Sequence, residues 1–285
     1  MSRSELAFLI ILACLALLPI WSWPSPSAEI QLNSPQQDFL GYDRNEYPGD
    51  AALPLLRKTF AFTSYWIGPP PGEQKSAWLG KRALLRAQGF GFVVLFNGPE
   101  TRALGDESIA RQKGMIDGKR AVELARQEGF PKHTVVFLDI EEGGRLPAAY
   151  HEYVKSWSGA LEQSGFRAGV YCSGVPVREG KNSSISTAKN IEDNSGGREL
   201  VFWVFNDVCP PSPGCSFPKN APPPTQSGFA ASVWQYAQSP RRKERTAHCA
   251  AAYAADGNCY APGDVEHKWF LDANVASWAD PSSGR

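Results

Sequence analysis

Short apolar runs alternate along the chain with longer segments in which apolar residues recur every three or four positions. The runs are rich in Val, Ile, Phe, Tyr and Trp, which favours strands. We predict eight strands, over residues 37–43, 59–67, 90–98, 133–141, 166–174, 199–206, 231–238 and 267–276. The spacing between them predicts helices over 49–58, 76–89, 106–129 and 148–165, and a short helix within 181–197.

The order of these elements predicts the class of fold. Strands that alternate with helices and are apolar along their whole length are typical of a parallel sheet covered on both faces. Eight such strands in about 240 residues fit a closed (β/α)8 TIM-like barrel. The last third is irregular, because proline-rich and cysteine-containing loops stand where helices would be regular. We place the barrel domain at 37–280, with a doubly wound open sheet as the alternative fold.

The first 28 residues have the pattern of a secretory signal peptide. Arg3 precedes an apolar run over 6–23, and small and polar residues follow it, so we expect cleavage near Ser27 or Ala28. An uncleaved N-terminal anchor is the alternative, since the run is nearly long enough to span a bilayer. Either reading places the protein outside the cytoplasm, secreted or in the periplasm or cell envelope.

The cysteines agree with an oxidising compartment. Two pairs close in sequence, "CPPSPGC" and "CAAAYAADGNC", stand in loop-like segments. We expect disulfides between Cys209 and Cys215 and between Cys249 and Cys259. Cys172 lies within a predicted strand, where we expect a buried free thiol.

Charge and motifs exclude several classes of function. Lys plus Arg and Asp plus Glu are both 29, so the formal net charge is zero and no basic footprint for nucleic acid is present. No CxxC or HExxH spacing occurs and His numbers only four, so we expect no metal site. Phosphate-binding loops and nucleophile elbows are missing, and no cofactor is implied. We expect a monomer with no membrane contact beyond the possible anchor.

Acidic residues follow the fourth predicted strand directly, in "TVVFLDIEEGG" (134–144). Catalytic residues of such barrels lie at the C-terminal ends of the strands. Asp139 and Glu141 are two apart and share a face, so both can point into the barrel mouth while Glu142 points away. Two convergent carboxyls can act as acid and base, because repulsion and burial separate their pKa values. Helix capping, or an ion pair with Arg145, is the structural alternative.

Other predicted strand ends add to this site. Asp43 and Asp272 extend the candidate catalytic set to four carboxyls. Aromatic and amide side chains at the same rim are candidate substrate-binding residues, although each aromatic also fits simple core packing. The substrate-binding candidates are Tyr65, Trp66, Asn97, Tyr171, Gln235 and Asn274.

Five motifs, taken in order, resemble a bacterial glycoside-hydrolase-like barrel, the domain of unknown function 1906, which is related to family-25 lysozymes. They are "GYDRNEYPGD", "VVFLDIEEG", "AGVYCSG", "VWQYAQ" and "FLDANV", and the resemblance covers roughly 39–276. It implies a cleft lined by Asp43, Asp139, Glu141 and Asp272, with Glu141 as the general acid.

The leading hypothesis is therefore an exported hydrolase that cleaves a glycosidic bond, most simply in a cell-wall polysaccharide such as peptidoglycan. The second is an inactive carbohydrate-binding module, which predicts the same cleft with its acids paired to arginines. An amidase or esterase is a third and weaker hypothesis, since the sequence contains no nucleophile or metal motif for either.

The signal-peptide interpretation predicts the mature N-terminus. Cleavage after Ala28 would leave Glu29 as the first residue. Exported protein should therefore give an N-terminal sequence that begins near Glu29, and an exported chain that still begins at Met1 would contradict cleavage.

Overall fold

The computed structural model describes residues 38–207, 213–241 and 252–285. Its strands, in chain order, are β1 (Phe39–Asp43), β2 (Phe62–Trp66), β3 (Gly91–Asn97), β4 (Val135–Asp139), β5 (Arg167–Ser173), β6 (Val177–Arg178), β7 (Ser184–Ile185), β8 (Val201–Phe205), β9 (Val233–Ala237), β10 (Cys259–Tyr260) and β11 (Phe270–Ala276). Each of the eight predicted strands contains one of these strands.

The helices also lie where the periodicity places them. They are α1 (Leu53–Leu56), α2 (Arg82–Ala87), α3 (Glu107–Gln127), α4 (Ala148–Gln163) and α5 (Thr187–Asn194), with short 3-10 turns at Asp50–Ala52, Thr101–Ala103 and Pro224–Ser227. The carboxylate of Asp106 accepts the backbone N–H groups of Ser108 and Ile109, which caps the first turn of α3 and fixes where this helix begins.

Eight strands close a barrel in the order β1-β2-β3-β4-β5-β8-β9-β11, and β11 pairs back onto β1. This confirms the barrel and not the open sheet. The barrel strands β1, β2, β3, β4, β5, β8 and β9 run parallel, whereas β11 is antiparallel to both of its barrel neighbours. The short strands β6 and β7 form a separate antiparallel pair. The expectation of an all-parallel barrel is wrong for this last strand.

The connection from β9 to β11 explains the reversal. A parallel neighbour needs a crossover, usually a helix, and the described part of this connection contains only the short strand β10. Because β11 is reversed, its first residues and not its last reach the rim formed by the ends of the other strands. Asp272, near the start of β11, therefore lies opposite Asp43, at the end of β1.

Side chains alternate between the barrel interior and the helical layer. The ring of Phe62 fills the interior where a side chain on its register partner Gly41 would lie, since a Cβ at Gly41 would come within 2.2 Å of that ring. The ring of Phe137 likewise leaves no room for a side chain at Gly169, because a Cβ there would lie 2.5 Å from the ring. Large rings beside glycines thus fill the barrel interior below the mouth. The polar side chains lie above these rings, at the mouth itself.

The segment after β11 closes the opposite end of the barrel. The backbone N–H of Ser282 donates to Phe92 O, and Ser282 O accepts from Val135 N, both at 2.8 Å. The Ser282 hydroxyl accepts from Val94 N at 2.9 Å. These bonds hold the segment across the starts of β3 and β4, so this end of the barrel is packed and the polar mouth lies at the other end.

The disulfide differs from the expected pairing. Cys215 is bonded to Cys259, with their Cα atoms 5.2 Å apart. The expected pairings of Cys209 with Cys215 and of Cys249 with Cys259 are therefore wrong. Cys259 lies in β10, which pairs with β11, and the N–H of Cys215 donates to Ala252 O, so loop and strand contacts surround a bridge between cysteines that are 44 positions apart.

Two of the expected disulfide cysteines, Cys209 and Cys249, lie outside the described residues, as does the predicted signal segment 1–28. Cys172 is a buried free thiol, as expected. Among the described helices, none has both the length and the apolar character needed to cross a bilayer.

Helices α3 and α4 approach closely because glycines face the contact. A Cβ on Gly114 would lie 2.3 Å from the carbonyl oxygen of Tyr153, and one on Gly118 would lie 2.7 Å from that of Trp157. Those oxygens belong to the backbone of α4 and cannot rotate away, so the two helices would have to separate to admit a methyl group.

Gly114→Ala should therefore destabilise the fold. Alanine favours an isolated helix by about 1 kcal/mol, but overpacking costs ~1–3 kcal/mol and should exceed that gain. Urea denaturation measures the difference. Gly159→Ala in α4 is the matched control, because the nearest atoms to its new methyl group belong to the flexible Arg198 side chain, at 3.3 Å. Equal effects of the two substitutions would contradict the packing argument.

Candidate active site

A cavity of about 130 Å³ opens at the barrel mouth. Two further cavities adjoin it through shared lining residues: one of about 260 Å³ on the side of Asp43 and Asp272, and one of about 230 Å³ on the side of Asp139 and Glu141. The mouth is thus a cleft with a narrow centre. The central cavity is lined by Asp43, Asn45, Trp66, Leu95, Asp139, Glu141, Tyr171, Trp203, Gln238 and Asp272.

Asp43 is held by two buried amides. Its Oδ1 accepts the Gln235 Nε2 donor at 2.9 Å and the Asn274 Nδ2 donor at 2.6 Å. The orientation of each amide is fixed from behind, because Trp203 Nε1 donates to Asn274 Oδ1 and the Tyr171 hydroxyl donates to Gln235 Oε1, both at 2.9 Å. An indole N–H can only donate, so the amide nitrogen of Asn274 must face Asp43.

These contacts set the ionisation of Asp43. Burial raises its pKa to about 6, and the charge of Glu141 adds to the rise, while the hydrogen bonds from Asn274 and Gln235 oppose it. A carboxyl with a pKa in this range can exchange a proton near neutral pH.

Asp272 faces Asp43 across the β1–β11 pair. One of its oxygens accepts the backbone N–H of Ser239, and the other accepts Gln235 Nε2 at 3.3 Å. Burial and the charge of Asp43 raise its pKa, and the Ser239 N–H lowers it. Gln235 therefore bridges two acids that repel each other.

Asp139 and Glu141 occupy the other side of the central cavity. Asp139 is 3% exposed, and its Oδ1 finds no hydrogen-bond donor among the described residues. Burial raises its pKa well above the usual range, and the charges of Glu141 and Asp43, together with a hydrogen bond to Glu141, raise it further. Glu141 itself is exposed at the cavity.

The intervening Ile140 is fully buried, as a strand that points its acids inward requires. Glu142 takes the capping role expected of it, since its Oε1 accepts the N–H of Thr101 at 2.6 Å, at the first residue of a 3-10 turn. It also lines the outer cavity on the Asp139 side.

The structure brings most of the predicted residues together. Asp43, Asp139, Glu141 and Asp272 line one cavity together with Trp66 and Tyr171, and Asn97 lines the adjoining cavity.

Tyr65 was predicted to bind substrate, and this prediction is wrong. Alternation along β2 turns the side chain away from the mouth, and its hydroxyl donates to Glu128 in the outer layer. Gln235 and Asn274 are corrections too, because both are 0% exposed and hold Asp43 from below, which leaves no surface for a sugar.

Several lining residues were not among the candidates. Asn45 and Gln238 lie one or two positions beyond a strand end, and their amide side chains were the available signal. Arg44 lines the cavity beside Asp272, with its guanidinium 5.2 Å from the centre of the Phe270 ring. Trp203 forms one wall of the central cavity. Within 38–207, 213–241 and 252–285, no group of three or more His, Cys, Asp or Glu residues is arranged to hold a metal ion.

The raised pKa of Asp43 predicts how Asp43→Asn changes stability with pH. An unfolded Asp titrates near pH ~4, so between pH ~4 and ~6 the folded state binds more protons and stability falls as the pH rises. Above pH ~6 the cost is complete. Asp43→Asn should be more stable than wild type at pH 7 by ~1–3 kcal/mol, with a smaller difference at pH 4, in urea titrations.

Asp50→Asn is the control of opposite sign. Hydrogen bonds from Lys81 and Tyr47 lower the pKa of exposed Asp50, so its contribution is favourable at pH 7 and is lost as the pH falls. If the stability of wild type and of Asp43→Asn depended on pH in the same way, the raised pKa assigned to Asp43 would be contradicted.

The chain is similar to several known proteins. In the solved structures, an uncharacterized protein of B. stearothermophilus is similar at 18% identity, over 84% of this chain and 95% of that one, with a TM-score of 0.54. The Mycobacterium tuberculosis Tat-secreted protein Rv2525c in complex with L-tartrate has 18% identity over 84% and 94% of the two chains, with a TM-score of 0.48.

The catalytic domain of endolysin ply40 from bacteriophage P40 of Listeria monocytogenes has 16% identity over 85% and 94%, with a TM-score of 0.47. At 18% identity, the similarity to the B. stearothermophilus protein supports the barrel fold alone. No curated protein sequence matches the chain. A family model, Rv2525c-like, glycoside hydrolase-like domain, matches residues 64–207, about half of the chain. The chain therefore belongs to the Rv2525c-like family of glycoside hydrolase-like domains.

Proposed function

We propose that this protein is an exported hydrolase that cleaves a glycosidic bond in a cell-wall polysaccharide of the peptidoglycan kind. The observation that carries the proposal is the meeting of four carboxyls in one small cavity, with a buried Asp139 beside an exposed Glu141. Glycoside hydrolysis needs two carboxyls of different ionisation on either side of the scissile bond. The family supports the same class of reaction.

Glu141 is the proposed proton donor. It is the exposed member of the Asp139–Glu141 pair, so it can reach the oxygen of a leaving sugar. The environment of Asp139 favours a bound proton in the empty cleft. A general-acid role for Glu141 requires the opposite distribution, with the proton on Glu141 and Asp139 ionised, whereas burial favours a proton on the deeper residue, Asp139. Catalysis then requires the shared proton to pass to Glu141 as the substrate enters.

Asp139, once ionised, has two possible tasks on the substrate. Its charge can stabilise the positive charge that develops on the sugar ring, or it can orient a substrate N-acetyl group that attacks in its place. Its unpaired Oδ1 is the atom available for either task. Asp43 and Asp272 raise the pKa values around them and hold the sugar at the opposite wall of the cavity.

The inactive-module alternative predicted acids paired with arginines. The contacts of Asp43 and Asp272 differ from this, since these acids accept from the Gln235 and Asn274 amides and from the backbone of Ser239. The same hydrolysis assay decides between the two: glycan binding without hydrolysis by wild type would favour the module.

The proposal is tested by incubating purified protein with peptidoglycan and defined glycans and measuring released reducing ends. Glu141→Gln keeps the shape of the side chain and removes its titratable proton. We expect a rate loss of about 10²–10⁴ with folding intact, which is the usual contribution of a general acid.

Glu142→Gln is the matched control. Its amide oxygen can still accept the Thr101 N–H, so Glu142→Gln keeps the contact that the carboxylate makes at the edge of the outer cavity, and activity should change little. Comparable rates for Glu141→Gln and wild type would reject the proposed proton donor.

A further inference from the structure

Ser239, two positions after β9, contacts both Asp272 and the strands beside it. Its backbone N–H donates to Asp272 Oδ1. Its hydroxyl donates to Leu271 O at 2.7 Å and accepts the N–H of Cys259 at 2.7 Å. One residue thus joins the end of β9 to a candidate catalytic carboxylate, to β11 and to the disulfide-linked strand β10.

The hydroxyl determines where the N–H points. Two hydrogen bonds on opposite sides of Oγ fix the side chain, and with it the peptide that precedes Ser239. The neighbouring peptides cannot replace this donor, because the N–H of Gln238 donates to Asp207 at 3.3 Å and Pro240 has no N–H. Ser239 is therefore the backbone donor that this turn supplies to Asp272.

The donor matters because the surroundings of Asp272 oppose its ionisation. Asp43 on β1, Asp207 after β8 and Glu141 after β4 all raise the pKa of Asp272. The charge of Arg44 acts the other way. Gln235 is already shared with Asp43 and reaches Asp272 only at 3.3 Å. The Ser239 N–H is thus the direct contact that favours the charged form.

We propose that Ser239 is a positioning residue: its hydroxyl fixes the peptide whose N–H holds Asp272 in place at the barrel mouth and favours its charged form. This role rests on the proposed function of the cleft, in which Asp272 holds the sugar opposite Glu141. It also connects the Cys215–Cys259 disulfide to the site, because Cys259 is one of the two partners that hold the Ser239 hydroxyl.

The test follows the titration of Asp272 by carboxyl carbon NMR on the full-length protein, with the signal assigned by its loss in Asp272→Asn. Ser239→Ala should raise the midpoint of Asp272 by about one pH unit, since a hydrogen bond to a charged group is lost or weakened. Ser239→Thr keeps the oxygen and should stay close to the wild-type midpoint. If hydrolysis is observed, the acid limb of its pH profile should move with that midpoint.

Ser282→Ala is the matched control. It also removes a buried hydroxyl that bonds to backbone, at the opposite end of the barrel, so it should lower stability without moving Asp272. In wild type, the Ser239 amide proton should titrate with the Asp272 midpoint, a measurement that stands even if Ser239→Ala does not fold.

An unchanged midpoint in Ser239→Ala, equal rises in the Ala and Thr variants, or a wild-type Ser239 amide that does not titrate would overturn the proposal. None of these readouts needs a substrate. Absence of hydrolysis would therefore reject the proposed function of the cleft but would not decide the role of Ser239.

Discussion

The hydrogen bonds that Asp43 accepts inside the barrel are the constraint on which the mouth depends. A carboxylate that is almost fully buried must be matched by donors, and here the amides of Gln235 and Asn274 supply them from β9 and β11. Those amides are oriented in turn by Tyr171 and Trp203 from β5 and β8. The network around this one acid thus joins side chains on five of the eight barrel strands, β1 included, and spans the pair that closes the ring.

This arrangement fixes the geometry of the site but lowers the free energy of unfolding of the protein. Asp43, Asp139 and Asp272 all have raised pKa values, so the folded state opposes the charges that an unfolded chain would carry freely. The apolar packing below the mouth offsets that cost. Rings such as Phe62 and Phe137 fill the interior beside glycines, and the close contact of α3 with α4 supports the outer layer. Carboxyls that raise one another's pKa in this way are typical of sites that transfer protons.

Periodicity predicted the elements well because strands buried on both faces and amphipathic helices leave strong local patterns. Asp43, Asp139 and Glu141 followed from one rule, that the C-terminal ends of parallel strands share a rim, and D-x-E alternation put Asp139 and Glu141 on one face. Asp272 also lies at that rim, but it reaches it from the start of the reversed β11 and not from a strand end. The misses have non-local causes. The direction of β11 depends on its partners across the ring, and the local sequence of the strand does not record it. Tyr65 and Trp66 are adjacent and point to opposite faces of β2, so the register of β2 decides which of them faces the mouth. The Cys215–Cys259 pair and the supporting roles of Gln235 and Asn274 arise from contacts across the ring, which no local pattern records.

The reversed last strand has a consequence for how the chain is made. Asp43 and Asn274 are 231 positions apart, and until β11 has been synthesised both β1 and β9 are unpaired edges of an incomplete sheet. Open edges of this kind invite pairing with other chains. A ribosome delivers β1 to β9 before β11, so the incomplete sheet has two open edges until this last strand is made and pairs with both.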